Sequence, residues 1–440
     1  MSKRDRPQVR DRHASSSANS GSQAHRHRAP GSRRWQWIHS RRLHVVLYSF
    51  LLVATPFILL RNFLVLFVAQ ITEFGATVAG VRVPIVPTAA GVVFLVLLIV
   101  LRRRIRRRHV IALLIALLMD ATAQQIADYY FGQKFYDLQN NWHYMAYGLF
   151  GYMLYRDLAL RGYRLSRIML LTSGCALAFS SFDEFFQMNM SNRVFDVGDI
   201  AKDQWGTLMG MVLLYGGGSR AGELWSGARR IRMPRLRDYV NEPLPMLFWL
   251  IIFGFLFVCI SAWFTEVEYL WIAVTATVGA CVVLLLLVHL TQFRAPRWAL
   301  TILLVAAIGV QAVSVYRSGH TGVSYVSPNM ISYNGVPLPL FDYLFFADGT
   351  FRPVDKKHLF NRRDQRRLLS FCPDILIMGA GYQGRGGNGF PDKTPCQFIF
   401  NRFTHRGTQV LILPTPQACA VYNRLRQEHR NVLFVLHSGC

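Results

Sequence analysis

Between positions 120 and 211 the chain places ionisable and polar residues where apolar runs begin or end. His143 opens one such run, and Asp183, Glu184 and Gln187 close the next. Arg193, Asp196 and Asp199 follow in a connecting loop, and Asp203 starts the run after it. Ionisable side chains in membrane segments are costly, so a functional role is their default reading. Asp183 and Gln187 are four apart and share a helix face, while Glu184 points partly sideways. Carboxylates with one Arg and one His around a groove can bind a polar lipid head group or, through hard oxygen ligands, a divalent cation. They can also do acid–base chemistry, because crowded carboxylates push their pKa values apart. The plainer reading has Arg193 neutralising Asp183 or Glu184, and Asp199 or Asp203 capping a helix. Asp120 and Gln124, also four apart, lie deeper in the preceding helix.

These residues need apolar helices to hold them. Apolar runs cover about 43–60, 84–101, 110–126, 142–155, 168–186, 205–215, 244–264, 269–290 and 298–315. A membrane span needs roughly 20 apolar residues. Most runs approach that length, and 142–155 and 205–215 need polar flanks to complete it. The expectation is about nine spans, with 62–70 not counted as another.

Charge sets the orientation. The net charge is +25, with basic residues concentrated in the tail and in short runs between apolar segments. That distribution follows the positive-inside rule, which favours a membrane over nucleic acid as the partner. Cytoplasmic loops would hold the Arg-rich run 102–108, Arg156 with Arg161, Arg164 and Arg167, the stretch 220–237, and Arg294 with Arg297. An odd number of spans then puts the N-terminus in the cytoplasm and the C-terminal domain outside. The tail 1–43 has eleven Lys/Arg against two Asp and cannot bury a core. None of the seven cysteines forms a CxxC pair, so no zinc or redox motif follows. An oxidising compartment would allow a disulfide or two among Cys372, Cys396, Cys419 and Cys440.

The stretch of about 110–216 resembles the VanZ-like family of bacterial membrane proteins. The likeness rests on the helix start Trp142-His143-Tyr144-Met145-Ala146-Tyr147-Gly148 and the helix end Asp183-Glu184-x-x-Gln187. It continues through Arg193, Asp196 and Asp199 to the small-residue helix Trp205-Gly206-Thr207-Leu208-Met209-Gly210. Many members carry an Asp-Lys pair before the His, where this chain has Gln139, Asn140 and Asn141. The resemblance implies a cell-envelope location and an association with low-level glycopeptide (teicoplanin) resistance. It supplies no molecular activity.

Residues 317–440 turn polar and rich in turn residues. Apolar runs at 373–378, 408–413 and 432–437 alternate with a helix over 417–430, which predicts a small layered α/β domain with parallel strands. Thr415 is the expected N-cap and Pro416 suits the first helical position. Gly379-Ala380-Gly381-Tyr382-Gln383-Gly384 spells GxGxxG, but a dinucleotide site also needs that loop to open a helix and an acidic residue about 20 positions later. Neither is present in the sequence. Over about 325–438 the strand and glycine loop, with Thr415-Pro416-Gln417-Ala418-Cys419-Ala420-Val421-Tyr422-Asn423, resemble a small domain shared by a mitochondrial complex I assembly factor and archaeal and bacterial proteins. That resemblance implies an interaction or assembly role. Gly379, Gly381, Tyr422 and Asn423 would line its pocket, unless Tyr422 is core and Asn423 lies on the surface.

The sequence thus reads as a multi-domain chain: a tail (1–43), two spans (44–109), a VanZ-like region (110–220), a basic loop (221–243), three spans (244–316) and a soluble domain (317–440). The functional expectation is a multi-pass protein of the bacterial inner membrane that binds an anionic lipid or a cell-wall precursor. Its soluble domain would dock a protein partner. One alternative is a membrane-embedded hydrolase or transferase with Asp183 or Glu184 as base and His143 as acid. The other is an anchored assembly scaffold. The sequence names no cofactor.

Overall fold

The computed structural model describes residues 40–59, 75–78, 81–101, 103, 105–131, 138–188, 195–218, 221–226, 233, 235–267, 270–318, 322–328, 330–339, 341–390, 396–401 and 406–439. Nearly all of the basic tail, residues 62–70, Arg193 and Cys440 lie outside them.

Each of the nine apolar runs falls on a helix. These are α1 (Arg41–Leu59), α2 (Ile85–Leu101), α3 (Arg107–Phe131), α4 (Leu138–Ala159), α5 (Leu165–Gln187) and α6 (Val197–Gly217), then, after two short helices α7 (Ala221–Ser226) and α8 (Leu236–Asn241), α9 (Pro243–Trp263), α10 (Leu270–Leu290) and α11 (Arg294–Ser318). A hairpin of β1 (Gly75–Val78) and β2 (Val81–Pro84), absent from the sequence reading, precedes α2. Among the described residues, five helices are long and apolar enough to cross a membrane: those containing Arg107–Ile126, Leu165–Gln187, Pro243–Trp263, Trp271–Leu290 and Arg294–Arg317. The expectation of nine exceeds that count. Helices α4 and α6 are too polar to qualify: α4 carries Asn140, Asn141, His143, Arg156 and Asp157, and α6 carries Asp199, Lys202, Asp203 and Gln204.

The polar helix α6 runs through the middle of the bundle, packed by α3, α4, α5 and α9. Glycine makes this crowding possible. A Cβ on Gly206 would stand 2.6 Å from Tyr144 Cα, and one on Gly210 would stand 2.7 Å from the Gly148 carbonyl oxygen. The α4 and α6 backbones therefore touch, which small residues permit in membrane helices. On the other side, Gly254 of α9 leaves room for Leu208 and Trp205. The Trp205 indole donates to the Met119 carbonyl, 2.9 Å away, and so ties α6 to α3. Helix α11 lies outside this core with none of its spanning stretch buried.

The C-terminal region is a six-stranded mixed sheet in the order β7-β6-β11-β8-β10-β9, with a three-stranded meander beside it. The meander is β3 (Val323–Ser327), β4 (Met330–Tyr333) and β5 (Val336–Pro339), and the sheet is β6 (Asp342–Phe345), β7 (Phe351–Val354), β8 (Ile375–Gly379), β9 (Cys396–Asn401), β10 (Arg406–Leu413) and β11 (Val432–Leu436). The three expected strands are β8, β10 and β11, and β8 runs parallel to both neighbours. Strands β6, β7 and β9 add antiparallel edges. Side chains alternate across β8. Ile375 and Ile377 pack with α13 (Thr415–Gln427), while Leu376 and Met378 pack with Leu368 of α12 (Arg362–Ser370). Helix α13 begins at Thr415, so Thr415 is not its cap; its hydroxyl donates to the His437 carbonyl and accepts from Gly381 N–H instead.

This domain sits on the end of the bundle where α5 finishes and α6 begins. Glu266, just past α9, receives Arg352 of β7 at 3.1 Å and Arg367 of α12 at 2.8 Å. The Phe264 ring packs edge-on to Phe341, and Trp263 to Phe351.

Candidate functional site

Helices α4, α5 and α6 bring most of the sequence's polar residues together. His143 Nδ1 lies 2.7 Å from Asp203 Oδ1, and its Nε2 lies 3.7 Å from Asp199. Asp199 and Asp203 are four apart on α6, which puts both on the face towards α4. The other Asp203 oxygen accepts from the Ser180 hydroxyl at 2.6 Å. Lys202 donates to Asp199 at 2.8 Å. Glu184 accepts from Gln187 and from the Asp196 N–H, both at 2.9 Å, and thereby fastens the end of α5 to the start of α6. The helix cap is Asp196, not Asp199 or Asp203: its carboxylate accepts from Gly198 N–H at 2.7 Å. Burial, and then neighbouring Asp199, push the Asp196 carboxyl above its ordinary pKa.

The group is enclosed by protein rather than spread around an open groove. Asp203 is 1% exposed and Asp183 8% exposed, with Glu184 and Gln187 also buried. Asp183 Oδ1 accepts no hydrogen bond. Arg193 lies outside the described residues, so its expected ion pair does too. Gln124, also buried, donates to Asn141 and links α3 to α4. Ser180, Lys202 and Tyr147 belong to this environment and were not singled out in the sequence. Lys202 had a legible signal, standing three residues after Asp199 in a helix.

The bonding pattern limits the chemistry. Ser180 donates to Asp203 rather than to His143, so the imidazole does not activate that hydroxyl as a nucleophile. The imidazole instead lies between two carboxylates, an arrangement that can hold a proton and cross-link α4 to α6. Among the described residues no group of three His, Cys, Asp or Glu side chains could hold a metal ion.

The C-terminal candidates separate. Gly379 and Gly381 lie at the carboxyl edge of the parallel strands, Gly381 in the left-handed region at φ +82°. Tyr422 is core, and its hydroxyl donates to the Phe346 carbonyl at 2.7 Å. Asn423 clamps β3, accepting from Val323 N–H at 2.9 Å and donating to its carbonyl at 2.8 Å. The glycine loop forms turns and opens no helix. At the same carboxyl edge is a pair the sequence did not show. His437 Nδ1 lies 2.5 Å from Asp342 Oδ2, and Asp342 Oδ1 accepts from the backbone and hydroxyl of Ser438. Ninety-five residues separate the two, and only the antiparallel pairing of β6 with β11 joins them.

Both clusters border one space. A cavity of about 620 Å³ lies between the bundle end and the appended domain. Met188, Phe195, Asp196 and Gly198 line it from α5 and α6, Phe264 and Glu266 from beyond α9, and Asp342, Val354, Leu368 and His437 from the domain. Cavities of roughly 300–1,000 Å³ are typical of small-molecule sites.

Comparison with known proteins adds one match. No curated protein and no solved structure matches the chain. Residues 92–217 match the VanZ/LLP1 family model, a stretch that runs from within α2 through α6 and holds His143, Asp183, Glu184, Asp199 and Asp203.

Proposed function

We propose that this is a cell-envelope membrane protein that binds the polar head group of a membrane-anchored ligand, a lipid or a lipid-linked cell-wall precursor, between its bundle and its appended domain. The observation that carries this reading is the cavity at their junction. Its walls combine apolar side chains such as Met188, Phe195 and Phe264 with ionic ones such as Lys357, Glu266 and Arg367. A head group fits the ionic part, while acyl or prenyl chains can leave along the apolar helices. The family match over the bundle supports the envelope setting. Acidic residues outnumber basic ones both in the cavity wall and in the cluster beneath it. The recognised group is therefore a donor of hydrogen bonds, hydroxyl or ammonium, more than the anionic group expected from the sequence. The bonding of Ser180 favours binding over catalysis. The domain's role in docking a further protein belongs to the same reading.

Substituting Val354→Trp fills the cavity from β7 without touching the bundle. Lipids retained by the detergent-purified protein, read by mass spectrometry, are expected to lose the bound species in this variant. Val310→Trp, on the exposed face of α11, is expected to keep it. Equal retention by both variants would overturn the proposal.

A further inference from the structure

The cluster beneath the cavity, with Asp183, Glu184 and Asp203 buried and Asp196 and Asp199 half-buried, carries a charge imbalance. Asp183, Glu184, Asp196, Asp199 and Asp203 lie along the end of α5 and the start of α6. Against these five carboxylates the described residues set Lys202 and His143. Even a protonated His143 leaves the group short of positive charge. Burying uncompensated charge in a helix bundle is strongly unfavourable, so buried charges are paired or hold an ion.

The unmet oxygen is specific. Asp203 is saturated by His143 and Ser180, Glu184 by Gln187 and Asp196 N–H, and Asp199 by Lys202. Asp183 differs: it is 8% exposed and its Oδ1 accepts nothing. Tyr147, one helical turn after His143 on the same face of α4, is buried with a hydroxyl that makes no well-formed hydrogen bond. Native proteins leave few such atoms, and an ion is one of the reasons they occur.

We propose that Asp183, with the Tyr147 hydroxyl, forms an intramembrane site for a small monovalent cation, sodium being the one its oxygen donors suit. A divalent centre does not fit, because it would draw on several grouped carboxylates and the described residues provide no such group. One unpaired carboxylate oxygen supplies charge for a single positive ion. The cation lowers the repulsion among Asp183, Asp199 and Asp203 and so stabilises the junction of α5 with α6. This inference does not depend on head-group binding in the cavity.

The test is thermal unfolding of the full-length protein in detergent, at fixed pH and ionic strength, with sodium chloride replaced mole for mole by potassium or choline chloride. The expected result is a saturable rise in Tm of a few degrees with sodium, smaller with potassium and absent with choline. Asp183→Asn should abolish the sodium response while leaving Tm in choline at or above wild type, because the repulsion is gone. Should that variant fail to fold, Tyr147→Phe removes only the hydroxyl and should raise the sodium midpoint several-fold. Equal Tm in all three salts overturns the proposal, as does an unaltered sodium response in either variant. A Tm that rises with acid but not with sodium assigns the compensation to protons and overturns it equally. Val354→Trp should keep the sodium response, so failure of one proposal is distinguishable from failure of the other.

Discussion

His143 and Asp203 are sixty residues apart and meet at 2.7 Å inside the helix bundle. Asp203 accepts from His143 with one oxygen and from Ser180 with the other, so truncating it takes a partner from the half-buried imidazole and from the fully buried hydroxyl at once. Leaving a buried polar group unsatisfied costs roughly 1–3 kcal/mol. Asp203→Ala is therefore expected to lower Tm more than Ser180→Ala, and the double variant should lose less than the sum of the two. Strict additivity in thermal unfolding would mean that the three side chains do not act together. The sequence singled out His143 and the carboxylates because ionisable residues stand out among apolar ones. It did not mark Ser180, because a serine in a membrane helix most often bonds its own backbone. Nor did it mark Asp342 with His437, since a single Asp and a single His at strand ends carry no sign of burial. Asn423 shows the opposite limit. Its place on α13 was legible, but its bidentate grip on Val323 depends on where the meander folds back.

Helix α6 is the element on which the bundle depends, and its glycines decide how closely α4 approaches. A side chain at position 210 would meet the Gly148 carbonyl oxygen at 2.7 Å and its Cα at 2.9 Å, both backbone atoms that cannot rotate away. Overpacking of this kind costs typically 1–3 kcal/mol and more where backbone must move. Gly210→Leu is expected to abolish the monodisperse folded species in size-exclusion chromatography, and Gly210→Ala to lower its Tm. Gly174 of α5, with nothing within 4 Å of its Cβ position, is expected to tolerate alanine and serves as the control. A Gly210→Leu protein that elutes and melts as wild type would mean that α4 and α6 do not touch there. At this scale the apolar pattern was informative, since each of the nine long apolar runs became a helix and the three short ones of the C-terminal domain became strands. What pattern could not supply was the place of α6: it read as a short run needing polar flanks to complete a span, whereas it is enclosed by four helices. The four-residue strands β6 and β7 were missed because segments that short carry little periodicity.

The arrangement of the whole molecule couples the cluster to the appended domain. Helices α9 to α11 bring the chain back to the bundle end where α5 stops, and Glu266 holds the domain there through two arginines. The opposite end collects basic residues. Arg161 and Arg164 stand at the α4–α5 turn, Arg294 begins α11, and Arg41 donates to the Arg156 carbonyl. On the positive-inside rule, that end is expected to face the cytoplasm and the domain the outer side. Single cysteines introduced as Met188→Cys, Glu428→Cys and Leu160→Cys, with the native cysteines replaced, test this directly. All three positions are exposed, the first at the end of α5, the second after α13 and the third at the α4–α5 turn. A membrane-impermeant thiol reagent is expected to label the first two in intact cells and the third only after lysis. Labelling of Leu160→Cys alone would put the domain in the cytoplasm with the cluster still beneath it. Labelling of Met188→Cys without Glu428→Cys, or the reverse, would separate the domain from the cluster and remove the shared cavity on which head-group binding depends. Glu266→Ala discriminates further, because it leaves both arginines of the contact without their carboxylate. If the ion pair holds the domain down, that variant should expose the cavity to protease at the segment following α9 and release the retained lipid, while the bundle's sodium-dependent Tm persists.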